Sequence, residues 1–200
     1  MAGILIGITG SPASGKSTFA KALKRRCKNL RIIEIGSVAR EYKAYSSMDK
    51  DGTLVADMRK LNAAVKKELA SAKGENVAIV GHMVQDMHLK LDICVTVRAK
   101  PKVLYARQKG RGYGLAKIKE NIISEALDYC GINASKACRL SFEVETAEEK
   151  GRLARYLAGL IGRNEGIKGV HMPKDIGALR VKKDMMKHFL RFIGENNIGL

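Results

Sequence analysis

Three features of this sequence predict an α/β fold, a five-stranded parallel sheet with helices on both faces. Short apolar runs alternate with segments whose apolar residues recur every three or four positions. The runs are rich in Val and Ile and lack polar alternation, as strands buried on both faces do. A Gly-rich turn joins the first run directly to the first helical segment, as in sheets that bind ligands at the carboxyl ends of their strands.

The elements follow in order. Ile4–Thr9 is the first strand, and a helix from Lys16 carries Phe19, Ala20, Leu23 and Cys27 on one face. Ile32–Ile35 is the second strand. Over Asp57–Ala72, Met58, Leu61, Val65, Leu69 and Ala72 have helical spacing, and Lys73-Gly74 ends that helix. Val77–Val80 and Ile93–Val97 are the third and fourth strands. Pro101 opens a short helix, where its missing N–H costs least. Ile118, Ile122 and Ala126 mark a longer helix after Gly114. Ser141–Val144 is the fifth strand. Thr146 and Glu149 then form a T-x-x-E capping box for a helix that buries Leu153, Leu157 and Leu160. Beyond Ile161 the chain loosens at Gly162, Gly166 and Gly169, and a helical pattern resumes over Asp175–Ile193. This divides the chain into a domain over 1–161 and a basic helical extension over 162–200. The Met/Phe stripe of the extension suits docking on its own core or on a partner.

Composition narrows the classes. The 200 residues carry 37 Lys and Arg against 20 Asp and Glu, a formal charge of +17. So basic a chain favours a polyanionic partner such as nucleic acid or a phosphorylated ligand. No stretch is long and apolar enough to span a membrane, and Met1–Thr9 reads as a strand rather than a signal peptide. Cys27, Cys94, Cys130 and Cys138 form no CxxC pair and read as reduced thiols of a cytoplasmic protein. His82, His88, His171 and His188 have no compact ligand spacing, so no structural zinc is expected.

Gly10-Ser11-Pro12-Ala13-Ser14-Gly15-Lys16-Ser17-Thr18 fits G-x-x-x-x-G-K-[ST] between a strand and a helix. The glycines let successive N–H groups converge on phosphates, and the helix N-terminus adds partial positive charge. Lys16 suits the β- and γ-phosphates, and the Ser17 hydroxyl suits Mg²⁺. The expected site is one for Mg-nucleotide. Arg107 precedes Gly110, and Arg111 is the middle residue of a Gly-x-Gly hinge, Gly110 to Gly112, between two helices. Mobile arginines closing over the equatorial oxygens are what phosphoryl transfer needs, which makes Lys16, Arg107 and Arg111 the expected catalytic residues.

The P-loop with Pro12 at its third position, Leu104-Tyr105-Ala106-Arg107, and Arg111-Gly112-Tyr113 followed by Lys117–Ala126 resemble the adenylate kinase isoenzyme 6 family. These are small adenylate kinases of archaea and eukaryotes linked to small-ribosomal-subunit assembly. The likeness runs from about Gly3 to Ile161, and the run from Arg111 to Ala126 is its most selective part. It implies a P-loop nucleoside monophosphate kinase with Mg²⁺ as cofactor, ATP and AMP as substrates, and ATPase activity. The implied ATP contacts are Gly10, Ala13, Ser14, Gly15, Lys16, Ser17, Thr18, Arg111 and, beside the adenine, Thr146. A short lid is implied at about 110–120 and a nucleoside-monophosphate region at about 33–56. Ser37, Arg40 and Asp57 are the implied AMP contacts.

One departure stands out. Relatives carry an acidic residue two positions before a His in the third strand, where this chain has Val80 before Gly81-His82. His82 admits two readings, a hydrogen-bonded loop histidine or a water-positioning group. The missing carboxylate weakens the case for ATP hydrolysis more than the case for ATP binding.

Two other functions fit the sequence. One is a nucleotide-gated assembly factor, binding rRNA and a small-subunit ribosomal protein. Residues 1–50 hold 10 basic and 3 acidic residues, including Lys21, Lys24, Arg25, Arg26 and Lys28, and residues 151–200 hold 10 and 4. The other is a P-loop kinase for a different small acceptor such as CMP, dephospho-coenzyme A or shikimate. A monomer with no membrane partner is expected in each case.

Overall fold

The computed structural model describes residues 3–48, 54–163 and 174–177. Its central sheet has five parallel strands: β1 (Leu5–Thr9), β2 (Leu30–Glu34), β5 (Asn76–Val80), β6 (Leu91–Val97) and β7 (Cys138–Val144), in the order β2-β5-β1-β6-β7. The predicted strands are thus all present, with ends shifted by up to three residues. The largest shift is at β7, where exposed Arg139 interrupts the apolar run on an edge strand.

β1 is the central strand, with Ile8 opposite Val80 of β5 and Thr9 opposite Thr96 of β6. The chain leaves it to build one half of the sheet and returns to build the other, so a crevice opens where β1 ends. On one face α1 (Lys16–Arg26) and α7 (Ala147–Arg163) pack Phe19, Leu23, Leu153 and Leu157 against Ile6, Ile8 and Phe142. On the other face α2 (Ile35–Glu41) and α3 (Met58–Ser71) bury Val38, Leu61 and Val65 against Val77 and Ile79. A third, small cluster joins α4 (Pro101–Lys109) to α5 (Leu115–Ala126) through Leu104, Ile118 and Ile122. The capping box holds as predicted: Thr146 Oγ accepts from the Glu149 N–H at 3.1 Å, and Glu149 Oε2 accepts from the Thr146 N–H at 3.0 Å.

Several elements carry too little local signal to be read from sequence. α2 begins at the strand end and has only seven residues, two turns of IGSVARE. β3 (Tyr45–Met48) and β4 (Leu54–Ala56) form an antiparallel pair with a register shift between Tyr45 and Ser47, so neither shows clean alternation. With α2 they are the elements described within the segment at 33–56. α6 (Tyr129–Ala137) holds Gly, Asn and Ser and starts at Asp128, whose φ of 55° is left-handed. Its place is set by Ala134 and Cys130 against the sheet rather than by propensity.

All four cysteines are free thiols, and Cys27, Cys94 and Cys130 are buried. Of the helix expected over Asp175–Ile193, the described part is α8 (Lys174–Gly177), whose Ile176 packs into the same core cluster as α1 and α7. The remainder lies outside the described residues. Among the described residues no helix is long and apolar enough to cross a membrane.

Candidate active site

The P-loop starts where β1 ends. Gly10 has a φ of 136°, Ala13 of 67° and Gly15 of 106°. A left-handed φ at Ala13 is strained for a residue with a Cβ, and such strain is sustained where it turns backbone N–H groups toward a bound anion. At Gly10 no side chain fits, because a Cβ would overlap the Val97 carbonyl of β6. Lys16 Nζ donates to the carbonyls of Gly10 at 2.8 Å and Ser11 at 2.9 Å, so the lysine spans the loop. Burial pushes its ammonium down to about 8, against the pull of Glu125 and Glu34.

A cavity of about 620 Å³ opens on this loop. Ala13, Gly15, Lys16, Ser17 and Thr18 form its floor, Arg111, Tyr113, Lys117, Glu120 and Asn121 one wall, and Leu54 and Val55 of β4 another, with His82 between. Lys16, Ser17, His82 and Arg111, four of the residues singled out by sequence, thus meet around one space. His82 follows β5, and desolvation in the cleft, with Lys16 and Lys117 nearby, holds its imidazole down to about 4, so it is neutral at about pH 7.

Apart from Ala13, Gly15 and Thr18 of the floor, the remaining predicted residues do not line this space. Arg107 Nη1 donates to the Ala13 carbonyl at 3.1 Å. A Cβ on Gly15 would stand 4.0 Å from both Arg107 Nη1 and Lys150 Nζ, so two cations flank the loop. The Ser14 hydroxyl is buried and has no hydrogen-bond partner among the described residues. Thr146 is engaged in its capping box. Ser37 and Arg40 are exposed on α2. Asp57 caps α3, accepting from the N–H groups of Arg59 and Lys60, each at 3.1 Å.

Sequence reasoning placed Lys117 only within the expected lid and assigned no role to Asn121 and Ser124 of α5. Lys117, Asn121 and Ser124 line the cavity at spacings of four and three, opposite the apolar stripe of Ile118 and Ile122. That offset was available as a signal. Nor was the buried charge cluster behind the P-loop foreseen. Arg98 is paired with Asp128, with Glu143 at 2.9 Å and with Glu125 at 3.6 Å. These acids hold the guanidinium above its usual range, and burial of Glu125 pushes its carboxyl up.

The residues fit a magnesium ion carried by a nucleotide. Ser17 offers one hard hydroxyl oxygen on the cavity floor and would hold the ion there, the remaining ligands being left to the nucleotide and water. Among the described residues no group of three His, Cys, Asp or Glu could hold a metal unaided, and Val80 puts no carboxylate at the end of β5.

A P-loop at the end of the central strand, a helix–helix turn bearing Arg111 and a cavity lined by both define a P-loop nucleotide-binding fold of the kinase type. In agreement, shikimate kinase from Acinetobacter baumannii in complex with shikimate superposes with a TM-score of 0.57 at 16% identity, covering 82% of this chain and 95% of that one. The shikimate kinase from Bacteroides thetaiotaomicron gives 0.53 at 18%, covering 80% and 98%. The AAA domain family matches residues 6–128. A Methanosarcina barkeri protein named "Putative adenylate kinase" is 31% identical over 144 residues, 72% of this chain and 77% of that protein. A protein of the same name from Archaeoglobus fulgidus is 26% identical over 94% of this chain and 99% of its own length. The chain belongs to this family of archaeal adenylate kinase-like proteins.

Proposed function

We propose that this protein is an adenylate kinase that transfers the γ-phosphoryl of Mg-ATP to AMP, giving two ADP. The observation that carries the reading is the shared cavity: the P-loop floor and the Arg111 wall face each other, and β4 closes a further side where an acceptor can sit. Lys16 and the P-loop amides hold the donor phosphates, and Arg111, with Arg107 beside it, neutralises charge on the group in transfer. When bound, Mg²⁺ supplies charge neutralisation between the β- and γ-phosphates, and Ser17 is the residue that would hold it. No general base is required, because the acceptor is already an ionised phosphate oxygen.

Gly10, Ser14 and Thr18 complete the donor loop, Thr146 borders the adenine, and Ser37, Arg40 and Asp57 contact AMP. His82, neutral at the cleft, positions water during slow ATP hydrolysis. The catalytic unit is 1–161, acting as a monomer in the cytoplasm, with 162–200 as its basic extension. ADP formation from Mg-ATP with and without AMP, with Lys16→Ala as control, tests this: AMP should raise the rate well above the slow hydrolysis seen without it, and the AMP-dependent part should give two ADP per ATP consumed. Other acceptors, shikimate and CMP among them, belong in the same panel.

A second reading is a role in small-ribosomal-subunit assembly through rRNA and a ribosomal protein. Lys21, Lys24, Arg25, Arg26 and Lys28 are all exposed on or beside α1 and form no ion pair among the described residues. Binding of rRNA that weakens linearly on a log scale with salt would support it. AMP-independent ADP formation at an equal rate would favour the assembly role over the kinase.

A further inference from the structure

The helices flanking the lid turn reach back to three consecutive P-loop residues. Ser11 Oγ donates to Glu125 Oε2 at 2.5 Å, the Pro12 carbonyl accepts from Gln108 Nε2 at 3.0 Å, and the Ala13 carbonyl accepts from Arg107 Nη1 at 3.1 Å. Gln108, in the last turn of α4, is the pivot of this arrangement. Its side chain is 0% exposed and satisfied at both ends, since Asn121 Nδ2 donates to its Oε1 at 2.8 Å. An amide held from both sides has one orientation rather than two. Its backbone carbonyl meanwhile accepts from the Arg111 N–H at 3.0 Å and the Tyr113 N–H at 3.2 Å. One residue therefore holds the turn that carries Arg111 with its main chain and the P-loop with its side chain.

Pro12 has no N–H, so its carbonyl is its one backbone hydrogen-bonding group, and Gln108 takes it. Gly112 has a φ of 78°, and among the described residues nothing lies within 4 Å of where a Cβ would stand, so the outer half of the turn has room to move. The inner half is fixed by Gln108. Transfer depends on Arg111 standing at a set distance from phosphates held by Lys16, and a displacement of about 1 Å costs on the order of a hundredfold in rate.

We infer that Gln108, locked by Asn121, is a positioning residue that sets the register between Arg111 and the P-loop. The inference rests on the phosphoryl-transfer reading above. It acts through Arg111 and touches no substrate.

The test uses Gln108→Met, which keeps the volume, and Gln108→Asn, which keeps the amide but is too short to bridge. kcat should fall about tenfold or more while KM for ATP stays within about twofold, because ground-state binding by the loop is retained. Amide exchange over residues 109–114 is followed alongside, with and without Mg-ADP. Nucleotide should protect the turn in the wild type and do so about fivefold less in the variants, as expected for one lost hydrogen bond. A lowered melting temperature with unchanged kcat, or equal protection of the turn in both proteins, would overturn the inference. A wild type that forms no ADP defeats the functional reading instead, and the exchange measurement then judges the bridge by itself.

Discussion

Raising the pH from about 7 to about 9 should cost this protein about tenfold in kcat/KM for ATP, through Lys16 alone. Burial places its ammonium at about 8, from an ordinary 10.5. The protonated fraction of the free protein then falls from about 0.9 at pH 7 to about 0.1 at pH 9. Only the protonated form brings a charge to the β- and γ-phosphates, and bound phosphate raises the lysine again, so ATP binding takes up a proton in this range. The sign for stability is opposite. The folded value lies below the unfolded one, so the charged lysine costs stability below about pH 8, and that cost is relieved as pH rises toward 10.5. ATP affinity and stability of the unliganded protein therefore move in opposite directions. The assay is ADP formation at saturating AMP across this range at constant ionic strength, beside thermal melts. Lys16→Arg, which cannot deprotonate, should flatten the profile at a lower rate. A profile flat to about pH 9.5, or an unchanged inflection in Lys16→Arg, would refute the assignment.

Other perturbations have equally definite outcomes. Arg111→Ala removes the cation that lines the same cavity as Lys16 and should lower kcat by about 10²–10³, the usual loss for one transition-state donor, as measured by steady-state ADP formation. Arg98→Met leaves Glu125, Asp128 and Glu143 without their shared cation and should destabilise by about 3–5 kcal/mol in urea unfolding, with a smaller loss at acid pH where carboxyls protonate. Asp57→Ala removes the cap of α3 and should cost about 1 kcal/mol of stability. A concurrent rise in KM for AMP is expected from its proposed contact, and a melt that shifts with KM unmoved would leave Asp57 as a cap only.

The sheet strands, the P-loop and the capping box are legible in the chain without any fold, because each is written in neighbouring residues. Apolar runs of Val and Ile mark β1, β5 and β6, and Gly10 to Thr18 needs only a strand before it and a helix after. The Thr146–Glu149 box closes within four residues. α2, α6 and the β3–β4 pair escaped that reading because they are short and are stabilised by what they pack against. Which side chains support the loop emerges only once the chain is folded. Ser11 and Glu125 are 114 residues apart, Pro12 and Gln108 are 96, and Ala13 and Arg107 are 94. No local pattern marks a glutamine as the partner of a distant proline carbonyl. Burial of Arg98 among three acids likewise follows from how β6, β7 and α5 come together. Local chemistry names the groups proposed to meet the phosphates, and only the closed fold sets the distances between them, because those distances are fixed by contacts between segments far apart in the chain.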